Sequence, residues 1–304
     1  MQIKILKKTS IIIFSKSLMN NKSNPYTYGI ILILLTYLSF GILDTIQKTA
    51  VQYHSVFVLL FVKYTFCLIF SFFISKKNNV KDYYLSNNYK IQITRCILSV
   101  CEACFFVLSF RYLALADAHT IGSLSPVLVV FFSYLILKEK INLATWVAIG
   151  ISFFGVLLIM RPGLTIFNPY LVFPLLAAFF YSLFQIATRL NAHYDDNETM
   201  LFYNGLIGVI ITLILSIFFW QPLHSFSFIF FIFLGFFFCM GLFLQIKALS
   251  ITPVSVLAPY NYTIIVWAIF FGLVVYKEIP DIFTIIGAII IISSGVFIFR
   301  YSYK

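Results

Sequence analysis

Ten apolar runs of about 20 residues, parted by short polar stretches, constrain this chain more than any other feature. They fall at 28–48, 55–75, 91–112, 115–137, 142–160, 169–189, 200–219, 226–246, 254–276 and 282–300. A helix rises about 1.5 Å per residue, so roughly 20 residues cross the ~30 Å of a bilayer's hydrocarbon. Membrane strands would show shorter segments of alternating polarity, and the sequence has none of that pattern. With 62% apolar and 10% charged residues among 304, the expectation is an all-α integral membrane protein with ten transmembrane helices.

The net charge of +11 would suit nucleic acid, but the placement of the charges points elsewhere. If the N-terminus is cytoplasmic, fifteen Lys and Arg fall on cytoplasmic segments and four on the opposite side. Such a bias sets orientation in a membrane, with both termini cytoplasmic and no nucleic-acid partner. Residues 1–27 read as a basic cytoplasmic tail, because Ile11 to Phe14 is too short an apolar run for a signal-peptide core. Met19 is an alternative start. All five cysteines lie within spans. Cys101 and Cys104 have metal-ligand spacing without a second ligand pair, so they read as small apolar residues, and no cofactor or metal is expected. No G-x-x-x-x-G-K-[ST] loop is present to support direct drive by ATP.

The chain also repeats itself. Leu113 to Lys140 and Ala248 to Glu278 each run from small residues through an apolar helix to a Lys-Glu pair, Lys138-Glu139 and Lys277-Glu278. Asp44-x-x-x-Lys48 aligns with Gln185-x-x-x-Arg189 at an offset of 141, which also sets Lys63 over Asn204. Arg111-Tyr-Leu-Ala meets Lys247-Ala-Leu-Ser at 136. The expected halves are 28–161 and 162–304. Five spans per half is an odd number, so the second half enters from the opposite side and the repeat is inverted. Folds of this kind bind substrate near the midplane between repeats and open alternately to the two sides.

Ionisable groups inside spans cost at least roughly 2.5–3.5 kcal/mol at the bilayer centre, which makes each a functional candidate. Glu102 stands midway along the third span with no basic residue within a helical turn. It suits a proton-coupling site or the counter-charge of a cationic substrate; the alternative is a packed, protonated acid. Lys63, inside the second span, could pair with Glu102 or receive a substrate carboxylate. Asp44 and Lys48 have the i, i+4 spacing of a local ion pair. Gln185, Asn204 and Gln245 need partners in lipid, between helices or at a cavity. Tyr260 follows the helix-breaking Pro259 and, with Trp267, could stack on a cationic or planar substrate. Asp117 and His119 read as solvated, Glu139 and Glu278 as helix-end pairing, and Arg95 and Arg111 as interface anchors.

The two-by-five organisation, the Lys-Glu endings and SVLAPYNYTIIVWAIFFGLVVYKEIPD (Ser255 to Asp281) resemble the EamA-type bacterial carriers of the drug/metabolite transporter superfamily. The Ala258-Pro259-Tyr260 run with Glu278-Ile-Pro280-Asp281 is similar to that of rickettsial S-adenosylmethionine uptake carriers. The resemblance implies a secondary transporter of the bacterial inner membrane, not an enzyme, with a small organic metabolite as substrate. S-adenosylmethionine is the leading candidate, and a coupling proton or an exchanged metabolite would be the second partner. The resembling family tends to carry arginine where this chain has Lys63, and lysine lacks the two-pronged grip on a carboxylate. An exporter of amino acids or drugs on the same fold is the alternative. A membrane-embedded enzyme is more remote, because no nucleophile–base pair is visible in the spans. Oligomeric state is left open.

Overall fold

A computed structural model describes residues 25–78, 80, 82–137, 143–160, 168–219 and 227–302. Residues 1–24 of the expected tail, with Met19, and Lys138, Glu139 and Lys140 lie outside the described residues, while residues 25–27 already belong to the first helix. Helices α1 (Pro25–Ala50), α2 (Val56–Lys77) and α3 (Tyr89–Ser109) are followed by a pair, α4 (Leu115–Gly122) and α5 (Ser125–Leu137), and then by α6 (Leu143–Met160). The second half continues through α7 (Val172–Asn191), α8 (Asn197–Phe218) and α9 (Ser227–Ile251). A short α10 (Val254–Leu257), a tight 3₁₀ stretch (Ala258–Tyr262), α11 (Thr263–Phe271) and α12 (Ile282–Ser302) complete it. No strand occurs among the described residues. Among the described residues, seven helical stretches are long and apolar enough to cross a membrane, and three shorter apolar ones cover Trp146–Ile159, Tyr260–Tyr276 and Ile282–Ser294.

Large apolar side chains cover much of the outside, and polar side chains share the interior with an apolar core. Phe73, Phe218, Phe228 and Val266 are mostly exposed, while Thr36, Gln92, Arg95 and Asn191 are buried. In hydrocarbon an unpaired polar group is costly, so the sequence turns such groups toward protein partners. Arg95 illustrates this and corrects its reading as an interface anchor. It is wholly buried and donates to the Met200 carbonyl and to Gln92 Oε1 at 3.3 Å. Asn191 Nδ2 donates to the same Gln92 oxygen at 2.6 Å and to Asp195 at 3.1 Å.

The helices pair across the halves. The main contacts are α1 with α9, α3 with α7, α2 with α8, and α6 with α12. Additional contacts join α2 with α9, α3 with α8, α1 with α11, and α5 with α7. Glycine permits the tightest approach: a Cβ on Gly205 of α8 would lie 2.6 Å from the Leu68 backbone nitrogen of α2. Small residues at such crossings replace the hydrophobic drive that lipid removes.

The stretches corresponding to spans four and nine are both interrupted. In the first, α4 stops at Gly122 and α5 restarts at Ser125. In the second, Pro253 and Pro259 lack the N–H that a continuous helix would need. The two breaks touch, with Asn261 Nδ2 donating to Ser125 Oγ at 2.6 Å.

Candidate functional site

Interrupted helices and the long helices around them enclose a central cavity of about 100 Å³. Its wall takes Asp44 and Gln47 from α1, Lys63 from α2, Glu102 and Ser99 from α3, His119 from α4, Tyr181 from α7, Gln245 from α9, and Ser125 and Asn261 from the breaks. Phe40, Phe106, Phe184 and Phe238 are among its apolar lining. Of the residues expected from sequence, Glu102, Lys63, Asp44 and Gln245 are brought together here.

Lys63 is buried and reaches Gln47 Oε1 at 3.4 Å. Its ammonium stands 4.5 Å from the centre of the Phe238 ring, a cation–π contact that partly replaces lost hydration. Among the described residues no carboxylate lies within ion-pair distance of it, so the Lys63–Glu102 pairing is not formed. Glu102 is half-buried, faces the cavity, and likewise has no ion-pair partner among the described residues.

Asp44 and Lys48 do not pair with each other, despite their i, i+4 spacing. Asp44 Oδ1 accepts from Gln47 Nε2 at 2.8 Å, and its Oδ2 lies 3.2 Å from His119 Nε2. Lys48 instead crosses to the other half, where it binds the Glu278 carboxylate, and it donates to the Leu113 carbonyl at 3.0 Å. Glu278 also accepts from the Leu115 amide at 3.1 Å. Lys277 adopts a left-handed backbone, φ 56°, which turns the chain so that Glu278 points back at α1 and α4. Helix-end pairing is therefore the role of Glu278, with a partner in the other half.

His119 corrects its solvated reading: it is buried beneath the Phe106 ring at 4.9 Å. Asp117 is half-buried and accepts from Thr284 Oγ1 at 2.8 Å. Arg111 is no simple surface anchor either, since it donates to the carbonyls of Val51 at 3.0 Å and His54 at 3.1 Å.

Four expected residues stand off the wall. Gln185 is buried on α7, and Asn204 lies one layer behind, donating to the wall residue Ser99 at 3.5 Å. Trp267 packs on Phe270 and Phe271 and closes over Gly41 of α1. Tyr260 accepts from Thr263 at its carbonyl and is absent from the cavity lining. Gln245 donates to the Tyr181 hydroxyl. Sequence reading passed over Gln47, Tyr181 and Asn261. A signal existed for two of them: Gln47 lies one turn from Asp44, and Asn261 is the polar residue inside a proline-made break.

Comparison with known proteins gives a family. The model of the EamA-like transporter family matches twice, over residues 27–161 and 168–300. An S-adenosylmethionine uptake transporter of Rickettsia prowazekii is 25% identical over 94% of this chain and 97% of its own length. A pseudopaline exporter of Pseudomonas aeruginosa is 25% identical over 65% of this chain and 70% of its own. A solved crystal structure shares the fold, with TM-score 0.67 and 16% identity over 91% of this chain and 97% of the other. Family and relatives alike are transporters rather than enzymes.

Proposed function

Because the chain belongs to the EamA-like transporter family, we propose that it carries a small zwitterionic metabolite, S-adenosylmethionine by preference, by alternating access. The observation that carries this reading is the pair of opposite charges in one cavity, Lys63 and Glu102, each without an ion-pair partner among the described residues. Lys63 takes a carboxylate and Glu102 a positive charge, while the surrounding rings receive the planar part of the molecule. Full-length similarity to the rickettsial carrier adds to this.

Two inverted five-helix halves, 28–161 and 162–304, form the moving parts. The double family match supports that division. So do the contacts, because exchanging the halves converts α1–α9 into α7–α3, α1–α11 into α7–α5, and α2–α9 into α8–α3, while α2–α8 and α6–α12 map onto themselves. The lock at the end of α1 has a counterpart too. Arg189, aligned with Lys48, donates to the Leu249 carbonyl at 2.9 Å, just as Lys48 donates to the aligned Leu113. Seven long and three shorter apolar helices among the described residues are compatible with ten spans, and the charge bias supports both termini on the cytoplasmic side of a bacterial membrane.

A cavity of about 100 Å³ lies below the ~300 Å³ at which sites for drug-sized ligands begin. The cavity therefore has to widen, by the halves parting, to admit the substrate. Uptake of labelled S-adenosylmethionine by cells producing the chain tests this reading. Uptake no faster than in cells without it, together with no thermal stabilisation of the purified protein by the compound, refutes the substrate. Similarity to the pseudopaline exporter favours a second reading as an exporter. Counterflow in right-side-out and inside-out vesicles separates the two directions.

A further inference from the structure

We propose that Asp44 and His119 form a proton-binding site that is coupled to substrate binding and is separate from the substrate's own counter-charge at Glu102. This rests on the reading of the cavity as a substrate site. Both side chains are buried and both line the cavity. They come from different helices, α1 and α4, with Oδ2 and Nε2 3.2 Å apart. The Nε2 has no aligned hydrogen bond among the described residues. An imidazole with its Nε2 beside a carboxylate oxygen can take up or release a proton there, and histidine is the side chain suited to do so near neutral pH.

The pair is wired to the substrate pole. Gln47 donates to Asp44 at 2.8 Å and accepts from Lys63 at 3.4 Å, so the chain His119–Asp44–Gln47–Lys63 runs along the cavity wall. Other ionisable groups near the pair include Tyr37 and Lys48 on α1, Glu102 on α3, Asp117 on α4, Tyr181 on α7, and Tyr276, Glu278 and Asp281 after α11. Lys48 and Glu278 are bound to each other, Asp117 to Thr284, Tyr181 to Gln245 and Tyr276 to Thr49. Helices α6 and α11 bring no ionisable side chain.

The charges explain the coupling. With His119 neutral and both carboxyls ionised, Asp44 and Glu102 would outweigh Lys63 by one negative charge, and the cavity would favour a substrate carrying a net positive charge. A proton on the pair cancels that excess. Proton and cationic substrate therefore compete through charge rather than for the same atoms. The proton leaves His119 as the substrate's positive charge arrives.

The experiment is the pH dependence of S-adenosylmethionine binding to the purified full-length protein, paired with imidazole NMR. Binding is expected to weaken as the medium is acidified from about pH 8 to 5, by at most about tenfold per pH unit for a single competing proton. In H119N and D44N the slope should fall to less than about twofold. Wild-type binding that ignores pH between about 5 and 8, or an unchanged slope in H119N, overturns the proposal. The chain has only four histidines, so loss of one resonance in H119N assigns the signal. An imidazole that keeps one protonation state over that range also overturns the proposal. If the compound fails to bind wild-type protein at any pH, the substrate reading fails, while the NMR titration and its displacement by D44N still judge the proton site.

Discussion

Lys48 and Glu278 form an ion pair between the two halves, fastening the end of α1 to the turn that follows α11. Both also bind the segment leading into α4, through the Leu113 carbonyl and the Leu115 amide. Three helices are thus held at one end of the bundle by two side chains. E278Q or K48M should loosen that end. The expected effect is faster thiol labelling of a cysteine introduced at Ala114, with a loss of about 1–2 kcal/mol because Glu278 is partly exposed and the pair is screened. The swap K48E with E278K should recover part of the protection. Equal labelling in all four proteins would show that the pair does not close this end.

Glu102 and Lys63 should respond to substitution in the opposite manner, since neither has an ion-pair partner to lose among the described residues. E102Q is expected to weaken S-adenosylmethionine binding at least tenfold, the loss of about 1.4 kcal/mol, with little change in thermal stability. K63Q should weaken binding of carboxylate-bearing ligands more than that of analogues lacking the carboxylate. Titration calorimetry on both variants checks this. Unchanged affinity in E102Q would remove it from the site.

Much of this architecture was legible because membranes make polarity speak loudly. Apolar runs of fixed length marked out the helices. Lys63 and Glu102 announced themselves as charges where hydrocarbon tolerates few. Legibility failed where partners come from distant helices. The i, i+4 spacing of Asp44 and Lys48 implied a local pair, yet each finds a better partner across the bundle. His119 looked solvated because its span begins only a few residues earlier, but most of α4, His119 included, is buried. Tyr260 was favoured for its proline, whereas the adjacent Asn261 is the residue that reaches the cavity.

Gly205 tests the helix crossing that maps onto itself under exchange of the halves. A methyl group there would meet the backbone of Leu68 at 2.6–2.7 Å, with no flexible side-chain end to yield. G205A should therefore force α2 and α8 apart, at about 1–3 kcal/mol. Thermal unfolding in detergent should show the loss, whereas G150A, which meets nothing within 4 Å, should be neutral. Similar stability for the two variants would mean the crossing is looser than described.

Asn261 and Ser125 join the two helix breaks at the cavity through one hydrogen bond. Ser125 also offers its carbonyl to Ser182 of α7 at 3.1 Å, so the contact ties both breaks to a long helix. A break leaves backbone groups that depend on such partners, and a buried amide deprived of its acceptor costs about 1–3 kcal/mol. S125A keeps the Ser182 contact but orphans Asn261, whereas N261A removes the orphan and the link together. The expected order of stability is wild type, then N261A, then S125A, read by thermal unfolding. Transport should fall in both variants, because the breaks no longer move as one unit. If S125A is the more stable of the two, the hydrogen bond is not what holds the breaks together.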